Sequence, residues 1–371
     1  MKRAVAVICL VACWAAVGLQ LSLFARASNG DVETPRRNAG ALATASAAEP
    51  GAAPTRPHAR DPARLPAERP ISVALVGDIH AEPPIAGSLA RGENPLAGAD
   101  RPLRVADYAL ANVETAVARG GVPAEKAYTF RASPRLWGAL RRSGVDVVSL
   151  ANNHALDYGH GALAETIAGA RRSGLHVIGA GRNAREAYRA VVLGGPKNRV
   201  AFLGLTRVLP TLAWAAGPER PGLASAYHED AALAAVRRAA RRAERVVVAV
   251  HWGQELDGCP DGVQRRLARR LVAAGADVIA GHHPHVLQGV ERSRNALVGY
   301  SLGNFVFYAR EERTRATGVL TARLDEQGVV GQGFDPVRID SAGRPQLLRG
   351  AARVLRLRDL RRLEPGEGRC E

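Results

Sequence analysis

The sequence is poor in cysteine and almost empty of lysine, and each shortage closes off a class of protein. Only four cysteines stand in 371 residues, and two of them, Cys9 and Cys13, fall inside the first apolar segment. A disulfide-stapled scaffold is therefore excluded. No CxxC pair occurs, which argues against a thiolate zinc site or a redox motif. Lysine appears three times (Lys2, Lys126, Lys197) among 51 basic residues. There is no zinc finger, no RNA-binding aromatic signature and no basic helix with heptads, so the common nucleic-acid modules are absent. Nor is there an internal repeat of about 20 to 50 residues, the mark of a solenoid or propeller.

The composition that remains is 47% apolar and 23% charged, enough to bury a sizeable core in one large domain or two smaller ones. The formal net charge is +16. It has two readings: a coding bias toward arginine, or attraction to an acidic polymer or anionic surface.

Lys2 and Arg3 precede an uncharged run from Ala4 to Phe24, followed by Ala25-Arg26-Ala27 in the small-x-small form of a cleavage site. This is an export signal over residues 1–27. The run is also long enough to serve as an uncleaved anchor, and Leu10-Val11-Ala12-Cys13 resembles a lipobox. All three readings place the body outside the cytoplasmic membrane. Cleavage after Ala27 would remove three cations and leave a mature charge of +13. Cys259 and Cys370 would then sit in an oxidising compartment, where one bridge is possible.

Residues 28–70 read as a disordered linker rich in Ala, Pro and Arg, with prolines from Pro35 to Pro70 breaking any periodic element. From Ile71 onward short apolar runs alternate with amphipathic stretches, the pattern of an α/β protein. Strands are expected at 71–76, 145–150, 200–205, 246–250, 278–280 and 296–301, and helices at 134–143, 160–173, 230–243 and 262–274. The folded domain is expected to span 71–325, with 326–371 a C-terminal extension carrying a basic tail (Arg353, Arg356, Arg358, Arg361, Arg362). That tail is either a solvated face or a contact for anionic polymer or lipid. Residues 327–339 read as a closing hairpin or edge strand.

The residues after the strands carry the chemistry. Gly77-Asp78-Ile79-His80, Ala151-Asn152-Asn153-His154, His251-Trp252-Gly253 and Gly281-His282-His283-Pro284-His285 each follow an expected strand. Six of the ten histidines thus lie in four loops at the carboxyl edge of a sheet, where α/β proteins build their sites. Asp78-x-His80 on extended backbone puts both side chains on one face, and His283-Pro-His285 repeats that spacing with two imidazoles. Asn112-Val113-Glu114 adds another such pair. A set of Asp, Glu, Asn and His without thiolate suits Mn, Fe, Zn or Mg. Two adjacent ions would supply a hydroxide for in-line attack on a phosphoester, with a histidine at the leaving oxygen.

In that order these motifs resemble the calcineurin-like metallophosphoesterase superfamily. The fuller set includes Asp157 and Gly159, Glu255, Pro260 and Gln264, Gln288, and Tyr300-Ser301-Leu302-Gly303-Asn304-Phe305. It is similar to the CapA family of poly-γ-glutamate capsule synthesis proteins over Ile71 to Leu324. The resemblance implies a metallophosphatase-like four-layer sandwich of two mixed sheets flanked by helices. It also implies one or two divalent ions. Asp78, His80 and His285 would serve the first metal and Asn153, His251 and His283 the second, with Glu114 in the bridging place. His154 would be the general acid or transition-state stabiliser, with Asn153 beside it in the catalytic set.

Two departures stand out. The superfamily bridges its metals with an Asp where this chain has Glu114, and the capsule family commonly has an apolar residue where this chain has His80. Asn112, Asn152, Asp157, Trp252, Glu255 and Asn304 are candidates for supporting or substrate contacts. Trp252 reads equally as packing, Glu255 as a partner that orients an imidazole, and Tyr300 to Phe305 as a plain strand and turn. His282 stands beside the His-x-His pair without a place in it, and His58, His160, His176 and His228 lie outside the pattern.

The expected function is extracytoplasmic synthesis or export of capsular poly-γ-glutamate, with a membrane-bound synthesis complex and the anionic polymer as partners and no nucleic acid. The alternatives are an independent metal-dependent phosphoesterase of the cell envelope and a catalytically silent polymer-binding component.

Overall fold

The computed structural model describes residues 69–293 and 295–361 together with Cys370, all within the unit His58–Glu371. The export segment, nearly all of the linker and the end of the basic tail lie outside the described residues. Among the described residues no helix is long and apolar enough to cross a membrane.

The chain begins with β1 (Ile71–Ile79), α1 (Ile85–Ala90), α2 (Arg101–Val105) and β2 (Tyr108–Val113). A small ribbon, β3 (Ala116–Val117) with β4 (Arg131–Ala132), precedes α3 (Arg135–Arg142), β5 (Val147–Ser149), α4 (Gly159–Arg172), β6 (His176–Ile178) and β7 (Ala180–Gly181). The middle of the chain runs through α5 (Ala184–Ala187), β8 (Val191–Leu193), β9 (Val200–Thr206), β10 (Gly222–Leu223), α6 (Glu229–Ala240), β11 (Arg245–His251) and α7 (Gly262–Ala273). It closes with β12 (Val278–His282), β13 (Val290–Ser293), β14 (Ala296–Gly299), β15 (Asn304–Val306), α8 (Glu312–Arg315), β16 (Ala316–Asp325), β17 (Gly328–Ile339), β18 (Pro345–Leu347) and α9 (Gly350–Arg361).

Two large mixed sheets result. The first has the order β18-β17-β16-β1-β2-β5-β6, with β15 also paired to β1; the second has the order β13-β14-β12-β11-β9-β8. The central pairs β1–β2, β2–β5, β9–β11 and β11–β12 are parallel. Their strands read as unbroken Val/Ile/Leu/Ala runs because both faces are covered.

Alternate side chains of those strands enter different cores, as the two-residue strand period requires. Ile71, Val73 and Leu75 of β1 meet Val247 and Ala249 of β11 in a core between the sheets. Ala74 and Val76 face the other way, onto Leu89 of α1, Leu136 and Trp137 of α3, and Leu163 of α4. Val246, Val248 and Val250 of β11 face Leu233 and Val236 of α6 and Leu267 and Leu271 of α7. The layers are helix, sheet, sheet, helix.

The helices start where their sequences allow. Asp261 caps α7 by accepting from Gln264 N (2.7 Å), and Gln264 Oε1 accepts from Asp261 N (2.9 Å), a reciprocal capping box. On α3 the buried face is Leu136, Trp137, Ala139 and Leu140, with the arginines kept off it.

The expected domain boundary at 325/326 coincides with the turn between β16 and β17, and these two strands pair along almost their whole length. Residues 328–347 therefore belong to the first sheet. Cys259 and Cys370 form a disulfide, their Cα atoms 5.3 Å apart, which fastens position 370 to the loop after β11.

Candidate metal centre

The parallel register brings the strand ends level. Asp78 pairs with Asn112 on β2 and with Asn304 on β15, and His251 pairs with His282 on β12. Two glycines make this closeness possible. A Cβ at Gly77 would collide with the carbonyl of Gly303, and one at Gly281 with the carbonyl of Tyr300. The β12 loop then turns sharply: His283 and His285 have φ of 96° and 58°, unfavourable for side-chain-bearing residues and typical of backbone held in place for function.

Glu114 lies at the middle of what converges. One ligand atom each from Asp78, Glu114 and His251 lie within 4.8 Å of one another, and so do atoms from Glu114, His283 and His285. Glu114 Oε1 is 3.3 Å from His251 Nε2 and 3.8 Å from His285 Nε2. Glu114 is 0% exposed, and neither carboxylate oxygen receives a hydrogen bond. A buried carboxylate without donors is costly unless a cation compensates it. The donor set is hard oxygen plus imidazole with no sulfur, so the residues fit a divalent ion.

The protonation pattern carries the same imbalance. Burial, reinforced by the Asp78 charge, pushes Glu114 well above the usual carboxylate range. Burial would also raise Asp78, but the hydrogen bond from His285 and the nearby imidazoles pull it below its ordinary value. Against the penalty of burial, Glu114 and Asp78 drive His285 up to about 10. Burial and the neighbouring His285 take His283 down to about 3, and burial with His283 beside it drops His251 far below its usual range. The raised Glu114 and the charged His285 are both responses to two carboxyl groups buried together, which a dication would balance more fully.

A ring of amides fixes the ligands. Asn112 Nδ2 donates to Asp78 Oδ1 (2.8 Å) and lies 3.3 Å from His251 Nδ1. Asn152 Nδ2 donates to Asn112 Oδ1 (3.1 Å) and Val113 O (2.9 Å). Asn153 Oδ1 lies 2.8 Å from His251 Nε2, and Asn304 Oδ1 2.8 Å from His285 Nδ1. Such partners set tautomer and ring orientation.

His154 is held separately. Its Nδ1 is 2.6 Å from Asp157 Oδ2, and its ring stacks on Phe130 with centroids 4.1 Å apart. Lys126 Nζ donates to Asp157 Oδ1 (2.7 Å) and Asn153 O (2.6 Å). Burial lowers the His154 pKa, with Asp157 opposing. Neither Lys126 nor Phe130 follows a strand, so strand-end reasoning passes over both. The one available signal for Lys126 is its rarity, a lysine kept in a chain that otherwise uses arginine.

Two expected residues, His80 and Trp252, fall elsewhere. His80 joins neither ligand group: its Nε2 receives the Tyr308 N–H (3.0 Å), and its ring is packed among Phe307, Phe130 and Tyr308. The aromatic wall occupies the face that the Asp-x-His spacing assigns to a metal. Trp252 is buried in the second sheet's helical core and donates Nε1–H to Tyr300 O (2.8 Å), which makes it packing and not a substrate platform. Glu255 is exposed and hydrogen-bonds no imidazole among the described residues, but it lines a cleft with Asn153 and His283. His282 anchors the strands by facing Val76 O with Nε2 at 3.1 Å.

A helix–sheet–sheet–helix sandwich whose strand ends gather two carboxylates and three imidazoles defines an α/β protein with a metal-competent centre. The family described as "Bacterial capsule synthesis protein PGA_cap" matches residues 72–309, and the chain belongs to that family. It is 34% identical over 242 residues to the PGA biosynthesis protein CapA of Bacillus subtilis (strain 168), covering 64% of this chain and 63% of that one. It is 34% identical over 245 residues to the capsule biosynthesis protein CapA of Bacillus anthracis, covering 64% and 59%. The chain therefore spans about six tenths of the length of these curated relatives. Among solved structures, the sulfate thiohydrolase SoxB of Thermus thermophilus is similar with a TM-score of 0.39 and 13% identity, over 80% of this chain and 61% of that one.

Proposed function

We propose that this protein acts outside the cytoplasmic membrane in the synthesis or export of capsular poly-γ-glutamate, and that its strand-end centre holds divalent metal for a hydrolytic step. Family membership and the names of the two CapA relatives support the capsule role. The export signal at residues 1–27 supports the location. The observation that carries the metal reading is Glu114, buried, without a hydrogen-bond donor, and shared by both ligand groups.

Asp78 and His251 on one side of Glu114, and His283 and His285 on the other, would hold the ion or a pair of ions sharing that carboxylate. When bound, such an ion acts as a Lewis acid and lowers the pKa of water. The chain's own residues do the rest. Asp157 at Nδ1 keeps His154 with its other ring nitrogen, Nε2, free to give or take a proton at a leaving oxygen. Asn153 and Lys126 line the cleft beside the centre, where they would orient the substrate. The anionic polymer and a membrane-bound synthesis complex are the partners this reading requires.

The test is metal content of the purified full chain together with phosphoester turnover, repeated after His283→Ala. The expected result is at least one divalent ion per chain and a turnover that the substitution abolishes. A metal-free, inactive wild type grown with Mn, Fe and Zn would overturn the metal reading. Bound metal with turnover unaffected by the substitution would move the chemistry elsewhere.

A further inference from the structure

Two clefts flank the centre, and the charges they present differ: the first holds one carboxylate without an ion-pair partner among the described residues, the second an excess of arginine. The first, about 510 Å³, opens onto the centre through Asn153 and His283 and is closed by Leu209, Pro210, Lys126 and Glu255. Lys126 is not the free charge here: it is committed to Asp157 and Asn153 and its side chain is 15% exposed. Glu255 is free. In a chain where arginine takes Glu93, Glu186, Glu244, Glu311 and Glu312, the Glu255 carboxylate has no partner among the described residues.

Glu255 is also held in position. The next residue, Leu256, has φ of 62° and donates its N–H to Pro284 O (2.8 Å). Gln288 Nε2 donates to Asp257 O and Cys259 O, and the disulfide fixes Cys259. A carboxylate carried on a pinned loop loses little entropy when it binds.

The second cleft, about 580 Å³, is walled by Ala127–Phe130, the residues directly after Lys126, and by Tyr308, with Arg310 and Arg315 set against one carboxylate, Glu82. Arg310 has no hydrogen bond or ion pair among the described residues. Tyr128 and Tyr308 are 69% and 37% exposed beside it. One segment, 126–130, thus separates a cleft with an unpaired anion from a cleft in which two arginines outnumber one carboxylate. A molecule with a terminal ammonium and carboxylates further along fits both.

We propose that the Glu255 cleft is an amino-end subsite. It takes the free ammonium terminus of a carboxylate-bearing amino-acid oligomer, whose carboxylates run to Arg310 in the adjoining cleft. This rests on the capsule-polymer reading and adds direction to it: the polymer enters by its amino end.

The experiment is calorimetric titration of the full chain with two synthetic probes, a γ-linked glutamate pentamer with a free amino terminus and the same pentamer N-acetylated. The free pentamer is expected to bind about fivefold tighter, the ratio that an exposed ion pair of about 1 kcal/mol delivers. Glu255→Gln, at an exposed position, is expected to bring the ratio to one, and Arg310→Ala to weaken both probes alike. Equal binding of the two probes by the wild type, or a preference that survives Glu255→Gln, overturns the amino-end subsite and leaves the capsule reading standing. Binding of neither probe overturns both.

Discussion

Glu114 Oε1 and His251 Nε2 face each other at 3.3 Å in a place that solvent does not reach, and His251 lies so far below its usual pKa that it brings no charge to the pair. The carboxylate is therefore compensated either by its own proton, as its raised pKa favours, or by a bound cation. Glu114→Gln removes the charge and keeps the shape. We expect the metal-free variant to melt at or above the wild type, because a buried charge is gone, while the rise in Tm produced by added Mn or Zn disappears. Melting curves with chelator and with metal check both halves.

His154 depends on Asp157 for its proton as well as its orientation. Burial lowers its pKa and the Asp157 carboxylate opposes this, so Asp157→Asn should lower it further. If His154 donates a proton, activity falls as pH rises through its pKa, and in the variant that fall moves to lower pH. The rate at neutral pH is expected to drop roughly 10²-fold or more. A pH–rate profile that keeps its position would contradict the assignment.

Asp277, at the start of β12, accepts from Val246 N (2.7 Å), and burial pushes its pKa up to about 6. The folded state thus holds this proton more tightly than the unfolded chain. The carboxylate destabilises the fold above about pH 6, and the penalty vanishes below the ordinary value of 3.8. Asp277→Asn keeps an acceptor for Val246. It is expected to stabilise the protein by roughly 1 to 3 kcal/mol at pH 8 and to give no gain at pH 3.5, measured by urea titration at both.

The Cys259–Cys370 bridge closes a span of 111 residues. Its removal by reduction, or by Cys370→Ser, is expected to cost about 2 to 4 kcal/mol. Binding at the Glu255 cleft should weaken in parallel, since the bridge holds that loop. Differential scanning calorimetry with and without reductant measures the first effect.

Much of this was legible in the sequence because parallel strands covered on both faces are short apolar runs, and the polar residues that follow them mark the converging edge. Asp78, His251, His283 and His285 are found on that ground, and Glu114 by its i, i+2 spacing from Asn112. His80 shows the limit of spacing as a guide. The two-residue period puts its side chain on the side of Asp78, but the backbone leaves the strand there, and Phe130 and Phe307, from distant segments, decide what surrounds it. Lys126 has the converse problem: its role comes wholly from a loop folding back onto Asp157. β16 went unread for another reason: its alternation is interrupted by Gly318, and its partner strand β1 lies about 245 residues earlier. Residues 327–339 read as a closing hairpin or edge strand, but β17 lies inside the sheet between β16 and β18.

That last pairing sets the order of assembly. β1 takes β2 as a neighbour early in the chain, but its other neighbours, β15 and β16, are among the last strands to be made. The register of Asp78 with Asn304 cannot exist while the chain is still short, and Asn304 is what steadies His285. No nascent fragment ending before residue 304 can assemble the complete centre. Completion of the centre is then one of the final events in folding.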